Sequence, residues 1–237
     1  MLLRHFGCTP VYSPVAAAKV ITVGSLLQSV PTTFSGTILG SGFIEDGPVK
    51  RYEAASILLV RGELTRSRLG VGDVLLGDPG LLASRLVPSQ SVKRYSLGIV
   101  AHYADREDAR IARIARHGGA GVKIIDVRSP VRRVLREVAQ CQNILSSSLH
   151  GLIVADAYGI PNRWIALQAA GDIGDYKFRD YFSSLDRESA PLILSGAESV
   201  SNLQRECVSS VEHVSRLQQN CETVFREFVN RMRGSTA

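Results

Sequence analysis

The run NILSSSLHGLIVADAYGIPNRWI, residues 143–165, sets three serines and a histidine between two apolar stretches. NIL reads as the end of a strand and LHGLIVADAYG as a helix, so the polar residues fall at a strand exit. Ser147 or Ser148 can serve as the N-cap, and the first helical N–H groups then point at whatever sits beyond them. With the hydroxyls of Ser146, Ser147 and Ser148, the positive helix end makes an anion site. His150, in the first turn, can reach the same anion. The plainer alternative is a serine-capped helix whose histidine touches only its neighbours.

Ligands of open α/β folds sit outside the carboxyl ends of the strands, and that rule selects the other candidates. Gly24–Ser25 and Gly40–Ser41–Gly42 are glycine loops at such exits. Arg61 follows SILLV directly, where a guanidinium can grip a carboxylate or phosphate, or else pair with Glu63. Asp78 precedes Pro79, a place that suits either helix capping or catalysis. His102 ends GIVAHY, as an acid/base or as a satisfied core histidine. In GDYKFRDYF, Lys177 and Arg179 can face a ligand or solvent, and Tyr176, Phe178, Tyr181 and Phe182 can stack on sugar rings or pack internally. No GxSxG, P-loop or HExxH pattern occurs, and no Cys, His or Asp grouping has metal-ligand spacing.

The elements that must position these residues alternate. KVITVGSLL, GTILGSGF, SILLVRG and DVLLGDPG read as strands with their exits, and ELTRSRLG and GLLASRL as helices. After the polar linker VPSQSVKRY the alternation resumes. Strands are expected in SLGIVAHY, VKIIDV, NILSS and NRWIAL, with helices in REDARIARIARHG, PVRRVLREVAQC and LHGLIVADAYG. Strand–helix alternation implies parallel sheets covered on both faces. The expected fold is α/β, with two Rossmann-like domains facing a cleft. They would span residues 1–88 and 96–195, followed by a helical segment at 196–237.

The net charge is +6, which suits an anionic small substrate or an anionic membrane surface. Its one dense basic run, RSPVRRVLRE, has the spacing of a solvated helix face, so nucleic acid is not indicated. Four cysteines without CxxC spacing point to a reducing, cytoplasmic setting. No apolar run is long enough to span a membrane, and the first twenty residues are not expected to act as an export signal.

Taken together, VRGELTRSRL, LLGDPGLL, GIVAHYAD, ILSSSLHGLIVADAYGIP and GDIGDYKFRDYFSSL resemble the polysaccharide pyruvyltransferase family, especially the exopolysaccharide ketal-pyruvate transferases of the xanthan and succinoglycan type. The resemblance covers most of residues 19–185. It implies a glycosyltransferase-B-like architecture with phosphoenolpyruvate as donor and no further cofactor. The acceptor would be a sugar diol on a lipid-linked oligosaccharide at the cytoplasmic membrane face, and the products a cyclic pyruvate ketal and phosphate. By position, Ser148–Leu149–His150 matches the family's donor-site signature, in which many relatives have arginine in place of Ser148. Arg61 matches the arginine after an N-domain strand, and His102 a polar residue at the first C-domain strand exit. The resemblance thus implies His150 and His102 as catalytic residues, and Arg61, Ser146, Ser147, Ser148 and Gly151 as donor contacts. From their strand-exit or helix positions, Gly24, Ser25, Gly42, Asp78, Lys177, Arg179 and Tyr181 are candidates for further donor or acceptor contacts. Relatives usually begin with a strand and an Asn-x-Gly-Asp loop. MLLRHFGC looks like the middle of the following helix, so either the start is misassigned or that strand is absent. A nucleotide-sugar glycosyltransferase and a non-catalytic family member are the competing readings.

Overall fold

The computed structural model describes residues 1–89, 92–167, 175–188 and 190–234, apart from the side chain of Ala16. Along the chain run α1 (Leu2–His5), β1 (Val20–Ile21), β2 (Thr37–Ser41), β3 (Ser56–Val60), α2 (Glu63–Leu69), β4 (Leu75–Leu76) and α3 (Ala83–Leu86). Then come β5 (Leu97–Val100), α4 (Ala109–Gly118), β6 (Val122–Ile124), α5 (Val131–Ala139), β7 (Ile144–Ser146), α6 (Leu149–Ala157) and β8 (Asn162–Ala166). The last are α7 (Tyr176–Ser183), β9 (Leu192–Ile193), α8 (Val200–Arg205) and α9 (Val211–Gly234).

These elements pack into two compact units. The first gathers residues 1–82, 175–188 and 212–234, and the second residues 83–89, 92–167 and 190–211. This grouping differs from a linear division at 88/96 and 195/196, and sheet physics gives the reason. A parallel sheet buries both faces, and residues 1–88 cannot cover both faces of their own sheet. That sheet has the order β1-β2-β3-β4, all parallel. On one face Ile21, Ile38 and Val60 pack with Leu69 of α2 and Tyr176 of α7. On the other, Leu39 and Leu59 meet Cys221, Val224, Phe225 and Phe228 of α9. The heptad-like spacing of those α9 residues is the stripe such a cover needs.

The second sheet has the order β6-β5-β7-β8-β9, again all parallel. Its strands alternate inward sides with the period of two that strands impose. Leu97, Ile99 and Leu145 face Ile111 and Ile114 of α4 and Leu203 of α8. Val100 and Ile144 face Val138 of α5 and Ala155 of α6. The architecture is therefore α/β with two helix-flanked parallel sheets, Rossmann-like in each unit. The strand order of the second sheet decides where its site lies. The chain leaves β5 for β6 on one side and then crosses to β7 on the other, so the carboxyl ends of β5 and β7 flank a topological switch point.

Candidate active site

Both loops at that switch point are polar and tied together. The Ser146 hydroxyl lies 2.7 Å from the Val100 carbonyl and 2.8 Å from that of Ser148, and it accepts the Ser148 N–H at 3.0 Å. Ser147 accepts the His102 N–H at 2.9 Å and donates to the Asp105 carboxylate at 2.6 Å. Asp105 in turn donates its own N–H to the His102 carbonyl at 2.8 Å. The β5 exit loop and the start of α6 are thus one hydrogen-bonded frame. Gly151 lets α6 approach this closely, because a Cβ there would lie 2.2 Å from Ser146 Oγ and 2.8 Å from Val100 Cγ1. Gly151 therefore acts through packing.

Two serines are consumed by this frame, and neither caps the helix by its side chain. Ser148 occupies the N-cap with φ −106° and ψ 129°, yet its hydroxyl makes no capping hydrogen bond. The N–H groups of Leu149 and His150 have no acceptor among the described residues. Nearby, His150 Nε2 is buried with no partner among them. Leaving such groups unpaired costs roughly 1–3 kcal/mol each when they are buried. His102 is half-buried; its Nδ1 accepts the Ala104 N–H at 3.4 Å, and its ring stands 4.2 Å from that of Tyr103. Farther along the same exit loop, Asp108 caps α4 by accepting the Arg110 N–H at 2.8 Å. Hydrogen bonds from the Arg110 guanidinium hold the Asp108 carboxyl below its usual range.

The candidates in the first unit behave differently. Arg61 is fully buried: Nε donates to Asp180 at 2.8 Å, Nη1 to Ser25 Oγ at 2.6 Å and Nη2 to the Phe43 carbonyl at 2.5 Å. Asp180 also accepts the N–H and the hydroxyl of Thr65, at 2.6 and 2.7 Å. An arginine so enclosed directs its donors at its own loops rather than at open space. Its partner is Asp180, while Glu63 pairs with Arg66. Ser25 is spent on Arg61, and Gly42 is small to admit it, since a Cβ there would lie 2.4 Å from Arg61 Cζ. The Gly24 carbonyl accepts the Ser41 hydroxyl at 2.7 Å. Asp78 is buried and accepts the Gly80 N–H at 2.8 Å, the arrangement of a turn cap; its other oxygen has no partner among the described residues.

On α7 the aromatic residues Tyr176, Phe178, Tyr181 and Phe182 are all buried, so Tyr181 does not present a ring to a ligand. Arg179 is exposed beside Asp175, and Lys177 lies over the Phe178 ring. GDIG, the front of that segment, lies outside the described residues.

Three residues escaped sequence reasoning. Asp180 carried a signal, because it stands four residues after Tyr176 on the apolar face of a helix, where a carboxylate demands a partner. Asp105 is a carboxylate in a strand-exit loop already singled out for His102. Tyr103 is exposed in the same loop, and single exposed aromatics carry no signal in sequence.

Fold and site together define an α/β protein of two parallel-sheet units, the second with two acceptorless N–H groups at a helix start among the described residues. The family profile described as polysaccharide pyruvyl transferase matches residues 39–168, a span holding both loops of the switch point. The chain belongs to the polysaccharide pyruvyl transferase family. It is 29% identical over 177 residues to the succinoglycan biosynthesis protein ExoV of Rhizobium meliloti (strain 1021), which covers 70% of this chain and 53% of that protein. It is likewise 29% identical over 171 residues to the uncharacterized protein L143 of Acanthamoeba polyphaga mimivirus, covering 68% of this chain and 58% of that one. The chain thus spans less than two thirds of the length of either relative. Among the described residues, no helix is long and apolar enough to cross a membrane.

Proposed function

We propose that the chain takes part in pyruvyl transfer from phosphoenolpyruvate to a sugar of an exopolysaccharide or its lipid-linked precursor, with the start of α6 as the phosphate site. The carrying observation is the pairing of two acceptorless N–H groups, at Leu149 and His150, with the unpartnered, buried Nε2 of His150. A phosphate ester supplies oxygens to all three. Family membership and the likeness to a succinoglycan biosynthesis protein support the sugar polymer as the destination.

In this reaction a proton is added to C3 of the enol double bond, and a sugar hydroxyl attacks C2 and gives up its proton. Phosphate then leaves with the C–O bonding pair, and the second hydroxyl closes the ketal and loses its proton. Histidine titrates near neutrality and suits both the proton delivery and the leaving-group contact. His150 is assigned here to that work, with His102 the second candidate and Asp105 a positioning residue acting through Ser147. The substrate's carboxylate needs a cation other than Arg61, which is enclosed. Reaction at a lipid-linked acceptor would place the protein peripherally at the inner membrane face.

Phosphate release from phosphoenolpyruvate and a saccharide acceptor is expected to fall about 10²–10⁴-fold in His150→Ala, with thermal unfolding unchanged. Unchanged turnover would remove His150 from the chemistry. Stabilisation by UDP or GDP in preference to phosphoenolpyruvate would instead favour a nucleotide-sugar glycosyltransferase, in which a diphosphate takes the same helix start.

A further inference from the structure

The carboxyl edge of the second sheet carries a pocket that the phosphate site leaves unassigned. About 300 Å³ in volume, it lies where β5 and β6 end, between the loop that carries His102 and the residues that follow β6. Its apolar lining includes Tyr103, 66% exposed, and Ile124, 38% exposed.

The charges around it cancel. Arg128 grips Asp126 with two guanidinium hydrogen bonds of 3.1 Å. Arg106 holds Glu107 with bonds of 3.0 and 2.6 Å. The pocket lining thus has two cations and two anions in exposed pairs, each worth little and easily re-formed. This is the opposite of the α6 start, where uncompensated N–H groups favour an anion. A neutral lining of planar carboxylates and guanidinium groups can donate to and accept from neighbouring hydroxyls, while an exposed aromatic face takes the C–H face of a ring.

We infer that this pocket binds a neutral, hydroxyl-rich pyranose of the acceptor saccharide, with Tyr103 as the stacking platform and Asp126–Arg128 as the hydroxyl-reading pair. The acceptor role rests on the pyruvyl-transfer reading; saccharide binding itself does not. The Tyr103 and His102 rings are 4.2 Å apart, so a sugar on that platform lies beside a histidine already tied to the Ser147 loop. The volume fits one ring with part of a neighbour, as expected of a subsite for an oligosaccharide end.

The test uses the full chain with cellobiose and lactose as neutral probes, read by backbone amide shifts in NMR titration. Perturbation at residues 101–107 and 124–128 is expected. Tyr103→Ala and Asp126→Asn should each weaken saccharide binding at least about 10-fold, while phosphoenolpyruvate affinity stays unchanged. Because Tyr103 is largely exposed, its loss does not threaten the fold. Three results overturn the assignment: no saccharide shifts in this region, saccharide affinity unaffected by both substitutions, or stronger occupation of the same residues by UDP. Saccharide binding without phosphoenolpyruvate binding would sink the donor reading and leave the pocket standing.

Discussion

The carboxyl edges of the two sheets are equivalent places in two similar topologies, and they are finished in opposite ways. In the first unit the edge is closed around Arg61. Arg61, Asp180 and Thr65 satisfy one another in full burial with the half-buried Ser25, and Gly42 gives the guanidinium its room. In the second the edge is open. Serines bind the loops together but leave the Leu149 and His150 N–H groups and a histidine nitrogen without partners among the described residues. A charge with every partner in place holds a fold. On the proposed reading, a donor left without an acceptor, on an element that burial fixes, receives the ligand. Both sets of residues stand at strand exits; what separates them is the state of their hydrogen bonds.

This contrast predicts a graded set of effects. The largest is for Asp180→Ala, which strands Arg61 as an uncompensated buried charge and should cost about 3–5 kcal/mol in urea unfolding. His150→Ala, which removes no protein partner of Nε2, should leave stability within about 0.5 kcal/mol. Equal losses from the two substitutions would erase the distinction between the edges. Next is Gly42→Ala, whose methyl would press on Arg61 and should cost about 1–3 kcal/mol, again by equilibrium unfolding.

A smaller effect belongs to the Asp108 cap of α4. Its carboxyl is held below the usual range by Arg110, so its contribution is complete above the ordinary aspartate pKa of about 3.9. That contribution is lost as pH falls through the lower, folded-state value. Asp108→Ala should cost about 1 kcal/mol at pH 7 and flatten the acid limb of the stability profile. An unaltered acid limb would show that the ion pair adds nothing. The smallest effect is chemical: burial pushes the Cys141 and Cys207 thiols up to about 12. Both should resist alkylation at pH 8 in the native protein and react once it is unfolded, as peptide mass mapping would record.

Legibility in sequence followed the range of the interactions. Strand–helix alternation and the serine-rich start of α6 are local and were readable. The Ser148 N-cap was readable as a position, but the diversion of Ser146 and Ser147 to β5 depends on residues more than 40 positions away. Arg61 was read as available because its partner lies 119 residues on, and nothing near Arg61 announces it. The two-residue β9 is too short for periodicity. The return of α7 and α9 to the first sheet appears only when each sheet face is asked what covers it.

The most direct measurement of the central claim is a crystal structure of the chain with phosphoenolpyruvate. The account predicts phosphate oxygens at about 2.7–3.2 Å from the N–H groups of Leu149 and His150, within reach of His150 Nε2. Phosphoenolpyruvate bound elsewhere, with those groups still unoccupied, would contradict it.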